Sequence, residues 1–143
     1  MTILEPHHFK ILVASKDKEE IAQIKKAFDH CDCQIIPASS MSLALFLTQK
    51  NLPDLIFSEL ELTDGDGFNF LGEIRQEPDL AKIPFIFLVD RSHNALTLEQ
   101  AIDQGATSLF DCRLKGSDLV DLAMPILKEH QLVKTKRAEE TPE

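Results

Sequence analysis

Pro53-Asp-Leu-Ile-Phe-Ser-Glu-Leu-Glu-Leu-Thr-Asp-Gly-Asp-Gly67 is a short apolar run that ends near an acid and breaks into a turn. Asp54-Leu-Ile-Phe-Ser58 reads as a strand buried on both faces, because it lacks the period-two alternation of a half-solvated strand. Thr63-Asp-Gly-Asp-Gly67 is turn chemistry, and Phe68 to Arg75 then reads as a helix. The unit is therefore strand, turn, helix, and it repeats in both directions along the chain.

Upstream, Phe9-Lys-Ile-Leu-Val-Ala14 is a buried strand. Asp17 to Phe28 follows, with Ile21, Ile24, Ala27 and Phe28 at helical spacing. Cys33-Gln-Ile-Ile36 is the second strand, ended by Pro37. Ser39 or Ser40 caps a helix through Leu43 and Leu47 that stops near Asn51-Leu-Pro53. Downstream, Pro84-Phe-Ile-Phe-Leu-Val89 is the most apolar strand. Leu96 to Ile102 is a short helix closed by Gly105. Thr107 to Phe110 is the last strand, and Ser117 caps a final helix to about His130, which Pro125 should kink.

Five such alternations, joined by right-handed crossovers, specify an α/β fold. The expected architecture is a doubly wound, flavodoxin-like (βα)5 sandwich with a five-stranded parallel sheet in order 2-1-3-4-5. Residues 9–130 form that domain, with an N-terminal arm over 1–8 and a charged tail or linker over 131–143. In such sheets the functional site lies at the carboxyl ends of the strands, here the loops after Ala14, Ser58 and Val89.

Composition narrows the function classes. With 143 residues, 43% hydrophobic and 27% charged, one globular domain is expected. A formal charge of -9 argues against a nucleic-acid-binding surface. The basic cluster Lys134, Lys136 and Arg137 is followed by Glu139, Glu140 and Glu143, so it reads as a solvated tail. No segment reaches the roughly 20 apolar residues of a membrane helix, and Met1 to Lys10 has no signal-peptide core. The expectation is a cytoplasmic protein with reduced cysteines. Cys31-x-Cys33 lacks the spacing of a metal or redox motif. His7, His8, His30, His93 and His130 form no ligand pattern. No metal and no cofactor are expected.

The stretch from Pro53 to Gly67 resembles the phosphoacceptor strand and loop of response-regulator receiver domains. Lys10-Ile-Leu-Val-Ala14, Ile83-Pro-Phe-Ile-Phe-Leu88 and Gln104-Gly-Ala106 fit the same register, so the resemblance covers about residues 9–130. Receivers hold Mg²⁺ with two adjacent carboxylates after the first strand and an acceptor Asp after the third. The resemblance places Ser15 and Lys16 at the acidic pair and Glu59 at the acceptor. Val89 stands at the switch hydroxyl and Cys112 at the lysine, with Arg113 where receivers carry Pro. Leu109 takes the aromatic switch position. These substitutions imply a degenerate receiver, one that keeps the fold without accepting a phosphoryl group, and not an enzyme.

Glu59 against Lys16 implies a pocket charge near zero, with the Lys16 nitrogen within direct or single-water reach of the Glu59 carboxylate and no metal between them. Asp17, one residue later, reads as serving the start of the first helix. Glu59 has two readings. Its extra methylene carries the carboxylate about 1.5 Å further than Asp would, which mimics an activated state; or it is a tolerated polar residue in a decayed pocket. Cys112 reads as a plain substitution rather than a redox handle. Asp64-Gly-Asp66 lacks the later glutamate of a calcium loop, and Gly67 reads as a backbone requirement of the turn.

Three functions follow from these residues. The first is a signalling interaction module that binds a protein partner, or itself as a homodimer, through the face made by the fourth helix, fifth strand and fifth helix. Leu109 lies on that face, and neither nucleic acid nor membrane is a partner. The second is a flavodoxin-like carrier of a small cofactor such as FMN. Ser15-Lys-Asp-Lys-Glu offers no phosphate cradle, and no Trp or Tyr is present to stack on a flavin. The third is a receiver with rearranged acceptor chemistry on Ser58, which strand alternation should point away from Glu59.

Overall fold

The computed structural model describes residues 9–90 and 95–140, with side chains over 9–90 and 97–130. The N-terminal arm, His7, His8, His93 and Glu143 lie outside the described residues, as do the side chains of Lys134, Lys136 and Arg137. Along the chain run β1 (Phe9–Ala14), α1 (Lys18–Ala27), β2 (Cys33–Ala38), α2 (Met41–Asn51) and β3 (Leu55–Glu59). They are followed by β4 (Glu61–Leu62), β5 (Gly65–Asp66), α3 (Gly67–Gln76), β6 (Phe85–Val89), α4 (Ala95–Asp103), β7 (Ser108–Asp111) and α5 (Gly116–Glu140).

The main sheet has the order β2-β1-β3-β6-β7, and all its pairs are parallel. That is the expected 2-1-3-4-5 order once the small antiparallel β4–β5 hairpin is set aside. Continuous apolar strands make this arrangement possible, since both faces of the sheet are covered. Ile11 and Val13 of β1 pack on one side with Ile24 and Phe28 at the α1 end and with Leu119, Ala123 and Leu127 of α5. Leu12 and Ala14 pack on the other with Ala44 of α2, Phe70, Leu71 and Ile74 of α3, and Ala101 of α4. Each large side chain buried this way contributes about 1.5–3 kcal/mol relative to exposure.

Three boundaries differ from the sequence reading. Pro37 does not end β2 but sits inside it, opposite Val13. β2 is an edge strand, where a missing N–H costs no ladder bond. The segment after β3 is not a plain turn, because Glu61–Leu62 and Gly65–Asp66 pair as a hairpin around Thr63-Asp64. The last helix runs past His130 to Glu140. Residues 131–140 contain strong helix formers and neither Gly nor Pro, so nothing local stops it. Pro125 lies within α5 on an exposed position, where the carbonyl it strands can meet water.

Arg75 at the end of α3 staples two loops, the one from α3 to β6 and the one from α4 to β7. Its Nε donates to the Gly105 carbonyl at 3.0 Å, and its guanidinium Nη1 donates to Ala81 at 3.0 Å and Ile83 at 2.8 Å. Gly105, with φ of 111°, turns the chain from α4 toward β7. Arg75→Ala should leave these partly buried carbonyls without their donors and cost about 2 kcal/mol of stability. Urea titration would show this as a lower midpoint at unchanged slope; a loss under about 0.5 kcal/mol would mean water replaces the guanidinium at no cost.

Candidate functional site

The carboxyl ends of β1, β3, β6 and β7 open into a cleft of about 680 Å³. Its position follows from the fold, because the chain leaves β1 and β3 toward opposite faces of the sheet there. Of the residues singled out in the sequence, Lys16, Asp17, Glu59, Cys112 and Arg113 line it together. Ser15 is fully buried beneath it, its hydroxyl accepting from the Asp17 amide at 3.0 Å. Val89 is half-buried at the end of β6, packed against the α2–α3–α4 core, with its carbonyl accepting from the Cys112 amide at 2.8 Å. Leu109 lies outside the cleft on β7, half-buried against that same core.

Glu59 and Lys16 meet, though not by a direct contact of their side chains. Lys16 reaches Glu59 with its backbone amide, at 3.3 Å, while the Lys16 ammonium pairs with Glu61 at 3.4 Å. The charge balance of the cleft also differs from the expected one. Asp17, Glu19, Glu20, Glu59, Glu61 and Asp90 line the cleft against Lys16, Arg113 and Lys115, so it is acidic rather than neutral.

The acids are nevertheless dispersed by other duties. Asp17 caps α1, accepting from the Glu19 and Glu20 amides, as read from the sequence. Glu61 answers Lys16, and among the described residues no three His, Cys, Asp or Glu side chains converge to hold a metal ion. Magnesium needs nearly octahedral oxygen ligation. With Ser15 turned to Asp17 and Lys16 to Glu61, the donor set does not fit it.

Glu20 is the residue the sequence reading missed. Its carboxyl is pushed up to about 8, first by burial, then by its hydrogen bond to Glu59 and the charges of Glu59 and Asp17, with Lys115 pulling the other way. Two carboxyl groups in contact cannot both ionise without mutual repulsion, so one proton stays between them near neutral pH. Its sequence position carries no signal of this: Glu19 and Glu20 are both first-turn acids of α1, after the Asp17 cap.

The pH dependence has a definite sign. Glu20 binds its proton more tightly folded than unfolded, so its charging works against the fold. The penalty is absent below its ordinary value of 4.5 and complete above about 8. After allowance for solvent screening of a side chain at an open cleft, it amounts to about 1–2 kcal/mol. Glu20→Gln should therefore match the parent near pH 4.5 and exceed its stability by that amount near pH 8.5. A difference that did not change with pH would remove the shared proton.

The remaining features have structural work. The Cys112 thiol is pushed up by burial and then by the charges of Glu20, Asp90 and Asp111, with Arg113 opposing, which keeps it protonated rather than nucleophilic. Asp64 accepts from the Met41 and Ser42 amides and the Ser42 hydroxyl at the start of α2, and the hydroxyl leads in holding it below the usual carboxylate range. Asp66 caps α3 by accepting from the Asn69 amide at 2.8 Å. The two acids of the turn therefore serve two different helices. Ser58 is fully buried, its hydroxyl donating to the Glu59 carbonyl at 2.8 Å, and does not line the cleft.

Residues 11–124 match the response regulator receiver domain family. The chain belongs to that family. The transcriptional regulatory protein KdpE of Staphylococcus aureus is 30% identical over 125 residues, covering 85% of this receiver and 52% of KdpE. Histidine kinase P4 of Formosa agariphila is 31% identical over 90 residues, 63% of this receiver and 6% of the kinase. The receiver thus spans about half the length of one relative and a small part of the other. The chemotaxis response regulator CheY4 of Vibrio cholerae shares the fold at a TM-score of 0.77 and 17% identity, over 84% of this receiver and 99% of that chain. Of the families weighed from the sequence, the receiver of two-component signalling is the one found. Among the described residues no helix is long and apolar enough to cross a membrane.

Proposed function

We propose that this receiver accepts no phosphoryl group and serves as a protein-interaction module, presenting a constant surface rather than a switched one. The observation that carries the reading is the surrounding of Glu59. Its side chain meets a second carboxyl and a backbone amide, while the cation expected beside it is paired with Glu61. Phosphoryl transfer needs positive charge at the acceptor, and Cys112 stands where receivers place the lysine that supplies it.

The surface that remains is the one around β7. It is the edge strand opposite β2, flanked by α4 on one face and α5 on the other. Ile102 on α4 and Leu122 on α5 are each about half exposed, at 48% and 49%, and Leu109 contributes the accessible part of its side chain from β7. Apolar groups that stay open on helices flanking a bare strand edge favour a protein partner, with a symmetric pair of copies as the simplest arrangement.

Sedimentation at micromolar concentration tests the surface. The parent chain should associate, and Leu109→Asp and Ile102→Asp should each shift it to monomer. Ile102 is the safer site, since its charge enters solvent and not the core. A parent that stays monomeric, with neither variant affecting capture of a cognate signalling protein, would sink the proposed face.

A further inference from the structure

At the opposite end of the sheet from the cleft, Asp54 ties the starts of β1 and β3 together. Its Oδ2 accepts from the Lys10 amide at 2.9 Å, and its own amide donates to the Lys10 carbonyl at 2.7 Å. The His130 Nδ1 stands 3.9 Å from the other carboxylate oxygen, and both side chains are nearly closed to solvent, at 12% and 9% exposure. Among the described residues Leu127 is the last α5 side chain in the core; His130 follows it, and the helix continues to Glu140. At that distance the contact lies outside hydrogen-bond range but within the reach of an ion pair. Nearly all of its attraction therefore arrives with the imidazole proton.

We propose that His130 and Asp54 form a proton-operated latch that sets how firmly α5 is held where it leaves the domain. With the imidazole charged, the pair fixes this turn to the starts of β1 and β3. With it neutral, the turn and the helix beyond it loosen. Histidine is the side chain that changes charge between about pH 5 and 8, so the latch works in the physiological range. Among the described residues, the other charged and titratable groups around the pair have different duties. The Lys10 ammonium sits 3.4 Å from the Asn51 carbonyl, and the Cys33 thiol is pushed up to about 12 by burial first and then by Cys31, Asp32 and Asp54, so it stays neutral. Asp32 adds negative charge near Cys33, and Lys128 and Glu129 on α5 itself are exposed and opposite in sign.

The latch involves no cleft residue, so it stands or falls apart from the proposed function. Amide hydrogen exchange over residues 131–137 of the full chain, corrected for intrinsic rates, reads it directly. Protection should be about fivefold or more higher near pH 5.5 than near pH 8. Asp54→Asn keeps an acceptor for the Lys10 amide but removes the charge, and His130→Gln removes the proton site while leaving the other histidines. Both should flatten the ratio to less than about twofold. A flat profile in the parent chain, or a pH dependence that survives in both variants, would overturn the latch.

Discussion

Replacing Gly67 with alanine should cost this receiver about 3 kcal/mol, enough to lower its melting temperature by roughly 10 °C. A Cβ at position 67 would lie 2.5 Å from the Glu59 carbonyl oxygen and 2.5 Å from Cε1 of Phe87. Neither neighbour can retreat. The carbonyl belongs to the end of β3, and the Phe87 ring is fully buried between Phe85 and Phe68, with centroids at 5.1 and 5.3 Å. The Gly67 amide is also tied to the Leu60 carbonyl at 2.8 Å, so α3 cannot slide away without losing that bond. Glycine is thus required by close approach, whereas the sequence suggested a turn conformation; its φ is not positive. Chemical denaturation of Gly67→Ala checks this, and a loss below about 1 kcal/mol would mean that the start of α3 yields easily.

The elements legible in the sequence were those whose cause is local. Apolar runs such as Ile11-Leu-Val13 and Phe85-Ile-Phe-Leu88 are buried on both faces wherever they sit in a parallel sheet, so their strand character and the layer order followed. The caps Asp17 and Ser40 were readable because a side-chain acceptor two or three residues ahead of free amides is a short-range arrangement. What failed depended on three dimensions. Pro37 reads as a strand breaker until β2 is known to be an edge. Lys16 sits at the expected register, but a flexible lysine goes to whichever acid is nearest, and the hairpin brings Glu61 there. Nothing in the sequence marks Glu20 apart from Glu19, the other first-turn acid of α1; only the folded chain sets it against Glu59.

Phosphoryl transfer to Glu59 should fail altogether. Forming an acyl phosphate requires a carboxylate, a metal bridging it to the donor, and a cation on the charge that develops in transfer. This receiver retains the first at Glu59. On the proposed reading its metal-ligand positions hold Ser15, committed to Asp17, and Lys16, paired with Glu61, and Cys112 takes the place of the lysine. Loss of one such electrostatic partner typically slows a reaction about 100- to 1,000-fold, and at least two are missing, although such losses need not multiply. The direct measurement is the intact mass of the protein after incubation with acetyl phosphate and magnesium, beside a receiver that retains its acidic pair and lysine. The control should gain one phosphoryl group while this chain keeps its mass; a stable gain that disappears in Glu59→Gln would overturn the proposal.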